Sequence, residues 1–146
     1  MRVLVLNGPN LSRLGTRETD VYGTTTHAAL VEACQAAGSQ LGLEVEVRQT
    51  DSEGEFIGWL HEAAEDAVPT VVNPGAWSHY SYAVRDAVAM RTAPVLEVHL
   101  SNIHAREDFR HTSLVSPVVD GVIAGLGVAG YLLALQWIGE RVVERS

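Results

Sequence analysis

Apolar residues recur along this chain in two alternating rhythms. Short runs rich in branched side chains span Arg2 to Leu6, Leu43 to Gln49, Pro69 to Val72, Pro94 to Leu100 and Val118 to Ala124. Runs of this length, bounded by Gly, Pro, Asn or Ser, read as strands. Between them lie stretches in which apolar residues return every three or four positions. Thr24 to Thr26 offer N-caps for a helix reaching about Leu41, with Leu30, Val31, Cys34, Ala37 and Leu41 on one face, and Gly42 closes it. Ser52 and Glu55 form a capping box for a helix carrying Phe56, Ile57, Trp59, Leu60 and Ala63. A third helix is predicted from about Tyr80 to Arg91 and a last one from about Val128 to Val143.

The pattern reads as a β-α unit five times over, without repeats or linkers. Such alternation predicts a parallel sheet with helices on both faces. Five strands in a chain of this length point to an α/β, flavodoxin-like, doubly wound sheet of order 2-1-3-4-5, a three-layer α/β/α sandwich. The whole chain, residues 1–146, is expected to be a single catalytic domain. In these sheets the carboxyl ends of the strands line a crevice. Here those ends carry Asn7 and Asn10, Gln49 and Asp51, Asn73 and His79, and His99. The densest group is Glu97 to His111, a buried strand that breaks into a polar loop with His99, Ser101, Asn102, His104, Arg106, Arg110 and His111. A second candidate is Leu11 to Gly23, which lacks clear periodicity and holds Arg13, Arg17, Glu18, Asp20 and Tyr22. At that length it reads as a functional loop or lid.

Composition narrows the classes. With 47% hydrophobic and 19% charged residues in 146, the chain is an ordinary globular protein. A formal net charge of −8 argues against nucleic acid, because that partner requires a basic face. The single cysteine, Cys34, allows no intramolecular disulfide, and no segment reaches membrane-spanning length. A cytoplasmic protein with no membrane partner is expected.

Several motifs carry candidate chemistry. Gly125-Leu-Gly127-Val-Ala-Gly130 has dinucleotide-fingerprint spacing, yet no later strand exists to supply the ribose-binding acid, so a tight strand-to-helix turn is the better reading. His79, His99, His104 and His111 match no familiar zinc spacing, and no metal is expected. His99 at a strand end suits a proton donor, and Glu97, two residues earlier on the same strand face, can hold its ring. Tyr22 is the matching candidate base: a phenol ordinarily titrates near pH 10, and a guanidinium beside it, from Arg17 or Arg13, favours the phenolate. Arg106 and Arg110, four apart, would aim one way and with Ser101 hold a carboxylate. His79 and Asp86, seven apart, would share a helix face. There is no Gly-X-Ser-X-Gly elbow and no Walker loop.

Taken together, Leu6-Asn-Gly-Pro-Asn-Leu11, Leu14-Gly15 with Arg17-Glu18 and Tyr22-Gly23, Asn73-Pro-Gly75 with Ser78-His79, Glu97-Val-His99-Leu-Ser-Asn102, and Arg106-Glu107 with Phe109-Arg110-His111 resemble the type II 3-dehydroquinate dehydratases. The resemblance covers Leu6 to Tyr131. It implies anti elimination of water from 3-dehydroquinate, a small anionic carboxylate, to 3-dehydroshikimate through an enolate, without metal or cofactor. It implies a place in the shikimate pathway, towards aromatic amino acids. By position, Tyr22 would be the base, Arg17 would assist it, Asn10 would hold a water beside the enolate, and His99 would be the acid. Asn73, His79, Leu100, Ser101 and Arg110 would bind substrate, with Glu97, Arg13 and Gly75 in support. Asp86 would reach a neighbouring subunit's site, in a homo-oligomer that is usually a dodecamer built from trimers.

The chain departs from the family's pattern at Trp77, Tyr80, Thr112 and Ala129, which bear on lid contacts and crevice shape rather than on the assigned roles. The alternatives are a flavodoxin-like module that binds a flavin or an anion without turnover, and a metal-dependent hydrolase.

Overall fold

Branched apolar runs build the strands: β1 (Arg2–Asn7), β2 (Glu44–Gln49), β3 (Thr70–Asn73), β4 (Val95–His99) and β5 (Gly121–Ala124). All pair in parallel, in the order β2-β1-β3-β4-β5. This is the flavodoxin-like order expected from the alternation. The computed structural model describes residues 1–16 and 18–145, without the side chains of Val143 and Arg145.

Strand alternation divides the core between the two faces of the sheet. Val3, Val5, Val71 and Val98 pack beneath α2 (His27–Gln40) and α5 (Val128–Arg145), against Leu30, Cys34 and Leu135. Leu4, Leu6, Val72 and Val95 turn the other way, onto Phe56 and Leu60 of α3 (Glu53–Glu65) and Val84 and Val88 of α4 (Tyr82–Ala89). Each such side chain contributes about 1.5–3 kcal/mol when fully buried. Among the described residues no helix is long and apolar enough to cross a membrane.

Helix starts follow local capping chemistry. The Thr26, Ser52 and Ser81 hydroxyls accept from the amides of Ala29, Glu55 and Val84. Gly42, at φ 72°, ends α2 while the Leu43 amide returns to the Gly38 carbonyl at 2.8 Å.

The differences from expectation lie in the connections. The third helix begins at Tyr82 because Ser81 caps it, and Gly75–His79 forms a separate 3₁₀ turn that lifts His79 off the helix. β5 starts only at Gly121, after a 3₁₀ turn at Ser116–Val118. The β-α alternation lapses once: no α-helix joins β4 to β5. Ile103–Ala105, Asp108–Arg110 and Ser116–Val118 make 3₁₀ turns there instead, since that stretch has no apolar stripe to bury. The loop Leu11 to Gly23 contains a 3₁₀ turn at Leu11–Arg13 and a short helix, α1 (Thr19–Tyr22).

The ends of β1 and β3 are pressed together. Asn7 pairs in register with Asn73, and the Gly8 amide donates to the Asn73 carbonyl at 2.8 Å. A Cβ on Gly8 would lie 2.7 Å from the Pro74 carbonyl oxygen, so only glycine fits. Gly8→Ala is therefore expected to cost about 1–3 kcal/mol by overpacking. Gly58→Ala, on an exposed helical position with open space around the new methyl, should gain about 0.5–1 kcal/mol. Denaturant titration of both variants checks the contrast; a neutral Gly8→Ala would contradict the packing.

Candidate active site

The strand ends open into a crevice of about 570 Å³, counting its mouth, at the carboxyl edge of the sheet. β3 supplies Asn73, and the turn after it brings Gly75 and His79 to the wall. β4 ends at His99, followed directly by Leu100 and Ser101. Asn10 enters from the turn after β1, Tyr22 from α1, and Arg106 and Arg110 from the long connection to β5. Elements far apart in the chain thus bring ten of the residues singled out from the sequence to one place.

His99 is held from behind. Its Nε2 donates to Glu97 Oε2 at 2.5 Å, and both residues are buried. The Ser113 hydroxyl donates to the same oxygen at 2.8 Å, and the Ser116 hydroxyl to Oε1 at 2.6 Å. Ser113 Oγ accepts the amides of Val115 and Ser116, so its proton is free for the carboxylate. Burial pushes the Glu97 carboxyl up, but the hydrogen bond and charge of His99 and the two serine hydroxyls outweigh it, holding the group below the usual carboxylate value. With Nε2 committed to Glu97, His99 has its other nitrogen available to the crevice.

Among the described residues the cationic partner of Tyr22 comes from the long connection to β5. Arg106 Nη1 donates to the Tyr22 phenol oxygen at 2.5 Å, and the guanidinium lies 5.0 Å from the ring centroid. The same nitrogen is 3.4 Å from Ser101 Oγ, and Nη2 is 3.4 Å from the Glu18 carboxylate. Arg106 and Arg110 do not sit on one helical turn as their spacing predicted. Arg106 is extended and turns to Tyr22, whereas Arg110 pairs with Glu107 at 2.8 Å over the Phe109 ring.

The remaining wall is polar and oriented. His79 Nδ1 donates to the Thr112 carbonyl at 2.9 Å, and its ring stacks 6.3 Å from that of His99. Burial, with the neighbouring charges of His99 and Arg110, lowers its pKa and favours the neutral ring, whose Nε2 is an acceptor. Asn10 adopts φ 69°, and its amide donates to Asp51 at 2.8 Å.

Three predicted residues stand apart. Arg13 is exposed and does not line the crevice, whereas Arg106 does and meets the Tyr22 phenol. Asp86 is exposed on α4 beside Arg85 at 3.1 Å and does not line the crevice, and it shares no helix with His79, which belongs to the preceding 3₁₀ turn. Arg17 lies outside the described residues. The glycine turn before α5 offers no free cradle for a phosphate: the Gly125 and Gly127 amides donate to the His99 and Leu100 carbonyls, fastening the end of β4. Among the described residues no three His, Cys, Asp or Glu side chains are grouped to hold a metal.

Ser113 and Ser116 were not legible as site residues, because nothing periodic links them to Glu97. The Arg106–Tyr22 contact, spanning 84 positions, had no local signal either.

A family model described as dehydroquinase class II matches residues 1–139. A 3-dehydroquinate dehydratase from Salinispora tropica is 67% identical over 97% of this chain and 99% of its own. One from Kineococcus radiotolerans is 56% identical over 98% of each. The crystal structure of a type II dehydroquinase from Propionibacterium acnes superposes with a TM-score of 0.94 at 58% identity, covering 95% of this chain and 96% of that one.

Glu97→Gln tests the electrostatics of the pair. Near neutral pH it should cost about 1–3 kcal/mol, since an amide cannot accept every donor aimed at the carboxylate. A folded-state value below the unfolded one gives stability that is complete above about pH 4.3 and lost as pH falls through the folded value. The gap between wild type and variant in denaturant titrations should therefore close in acid; the depressed His79 cancels because both proteins carry it. A gap that persists unchanged to pH 2 would contradict an ionised Glu97.

Proposed function

The chain belongs to the class II dehydroquinase family and is a hydro-lyase of 3-dehydroquinate; within its crevice, we propose, Tyr22 and His99 divide the two proton transfers of an anti elimination. Tyr22, as the phenolate, removes the proton on the carbon next to the ketone. The electrons of that C–H bond move to the carbonyl oxygen as an enolate, which a water held by Asn10 steadies. Collapse of the enolate forms the carbon–carbon double bond and breaks the bond to the departing hydroxyl. His99, as the imidazolium, gives that hydroxyl its proton, and water leaves with 3-dehydroshikimate. Return of one proton from Tyr22 to solvent and of one from solvent to His99 resets both groups.

The observation that carries this division is the meeting, in one crevice, of a phenol paired with a guanidinium and an imidazole backed by a buried carboxylate. Arg106 balances the charge of a phenolate, and Glu97 balances that of an imidazolium. Neutral His79 accepts from a substrate hydroxyl, Asn73 and Ser101 hold others with the Leu100 amide, and Arg110 takes the carboxylate. The anion is drawn to this local cationic cluster although the formal net charge of the chain is −8.

The reaction belongs to the shikimate pathway, in a cytoplasmic protein whose whole chain forms one catalytic domain. The assembly is a dodecamer built from trimers, in which Asp86 extends to the next subunit's crevice. Sedimentation velocity tests the assembly: a stable monomer at micromolar concentration would remove it, and Asp86 with it.

Turnover is followed by the absorbance of the conjugated enone carboxylate. Tyr22→Phe and His99→Ala should each lower kcat by about 10²–10⁴-fold, and EDTA should leave the rate unchanged. Tyr22→Phe with near-normal turnover would remove the base; no signal from folded wild type would overturn the activity itself.

A further inference from the structure

Two asparagines interrupt the apolar strands of the core, and the mechanism above uses only one of them. Asn7 ends β1 and Asn73 ends β3, paired in register and therefore facing the same side of the sheet. Both are buried, and they point towards Tyr131 of α5, whose ring is fully buried in the core on that face. A polar group so placed is stable only when each donor meets an acceptor.

The four groups form one directed chain. The Tyr131 hydroxyl has a single proton, which it donates to Asn7 Oδ1 at 2.8 Å. It must then accept from Asn73 Nδ2, at 2.7 Å. Asn7 Nδ2 in turn meets His27 Nε2 at 3.1 Å, and burial lowers the His27 pKa, favouring the neutral ring that can accept there. At the other end the Gly75 amide donates to Asn73 Oδ1 at 3.2 Å. The Asn73 amide is thereby fixed by an acceptor on one side and a donor on the other. One Nδ2 proton is spent on Tyr131, and the second is left for the crevice that Asn73 lines.

We propose that Tyr131, backed by Asn7 and His27, is a positioning residue that fixes the amide of Asn73 so that it presents an N–H to a substrate oxygen. Tyr131 itself does not reach the crevice wall. Without its hydroxyl, the Asn73 amide can turn over and present its oxygen instead of its nitrogen, a mismatch to an acceptor on the substrate. The inference rests on the reading that Asn73 binds substrate.

Tyr131→Phe keeps the ring and removes only the hydroxyl. It should raise KM for 3-dehydroquinate roughly three- to tenfold, the loss of one hydrogen bond, while kcat and its pH profile stay close to wild type. The effect should vanish in an Asn73→Ala background, so that the double variant has the KM of Asn73→Ala alone. A purely structural tyrosine would instead multiply the two effects. If Tyr131→Phe fails to fold, the partly exposed end of the chain serves: His27→Leu should raise KM about two- to threefold, and His27→Gln, whose side-chain oxygen accepts, should restore it. Folded wild type without turnover would overturn the underlying activity and the inference with it. Normal wild-type turnover would overturn the inference alone in either of two cases: multiplicative effects with Asn73→Ala, or an unchanged KM in folded Tyr131→Phe or, failing that variant, in His27→Leu.

Discussion

A carboxylate sealed inside the protein has to be answered by donors, and Glu97 sets that condition for the rest of the site. Left unpaired, a buried charge of this kind costs several kcal/mol. The fold meets it with three donors: the His99 ring from the same strand and two serine hydroxyls from the connection to β5. That requirement explains why an irregular segment without an apolar face is nonetheless fixed. Its serines are tied to the floor of the crevice, so the residues before them, Arg106 and Arg110 among them, are carried over the strand ends.

The second half of the chemistry depends on that placement. Arg106 crosses to Tyr22 only because the segment is fastened at Glu97 on one side and at the β4 end on the other. The glycine turn before α5 supplies the second fastening, by donating its amides to the carbonyls of His99 and Leu100. A turn spaced like a nucleotide-binding fingerprint thus works here as a clamp on the strand that bears His99. Behind Asn73 the Tyr131 chain does the corresponding work, so the crevice is polar on its wall and tightly bonded beneath it.

Charge is arranged at short range. The chain as a whole is acidic, yet Arg106 and Arg110 stand at the crevice and are partly matched by Glu18 and Glu107. The cation–phenol pair and the carboxylate–imidazole pair each set a full charge beside a titratable ring. His79, stacked on His99 and with a lowered pKa, adds an acceptor without adding positive charge.

Much of this was written in the linear sequence. Period-two and period-3.6 hydrophobicity determined the strands and most helices. Capping residues such as Thr26, Ser52 and Gly42 marked their ends, because capping depends on neighbours a few positions away. The parallel order followed from the alternation, and with it the expectation that Asn10, Asn73 and His99 share one edge. Even the Glu97–His99 pair was legible, since two residues on one strand share a face. What the sequence could not determine were bonds between elements with no common periodicity. Arg106 rather than Arg13 beside Tyr22, Ser113 and Ser116 on Glu97, and Tyr131 between Asn7 and Asn73 were decided by tertiary structure alone. In each case the partners are brought within hydrogen-bonding distance by how strands and helices pack, and that distance leaves no trace in local spacing.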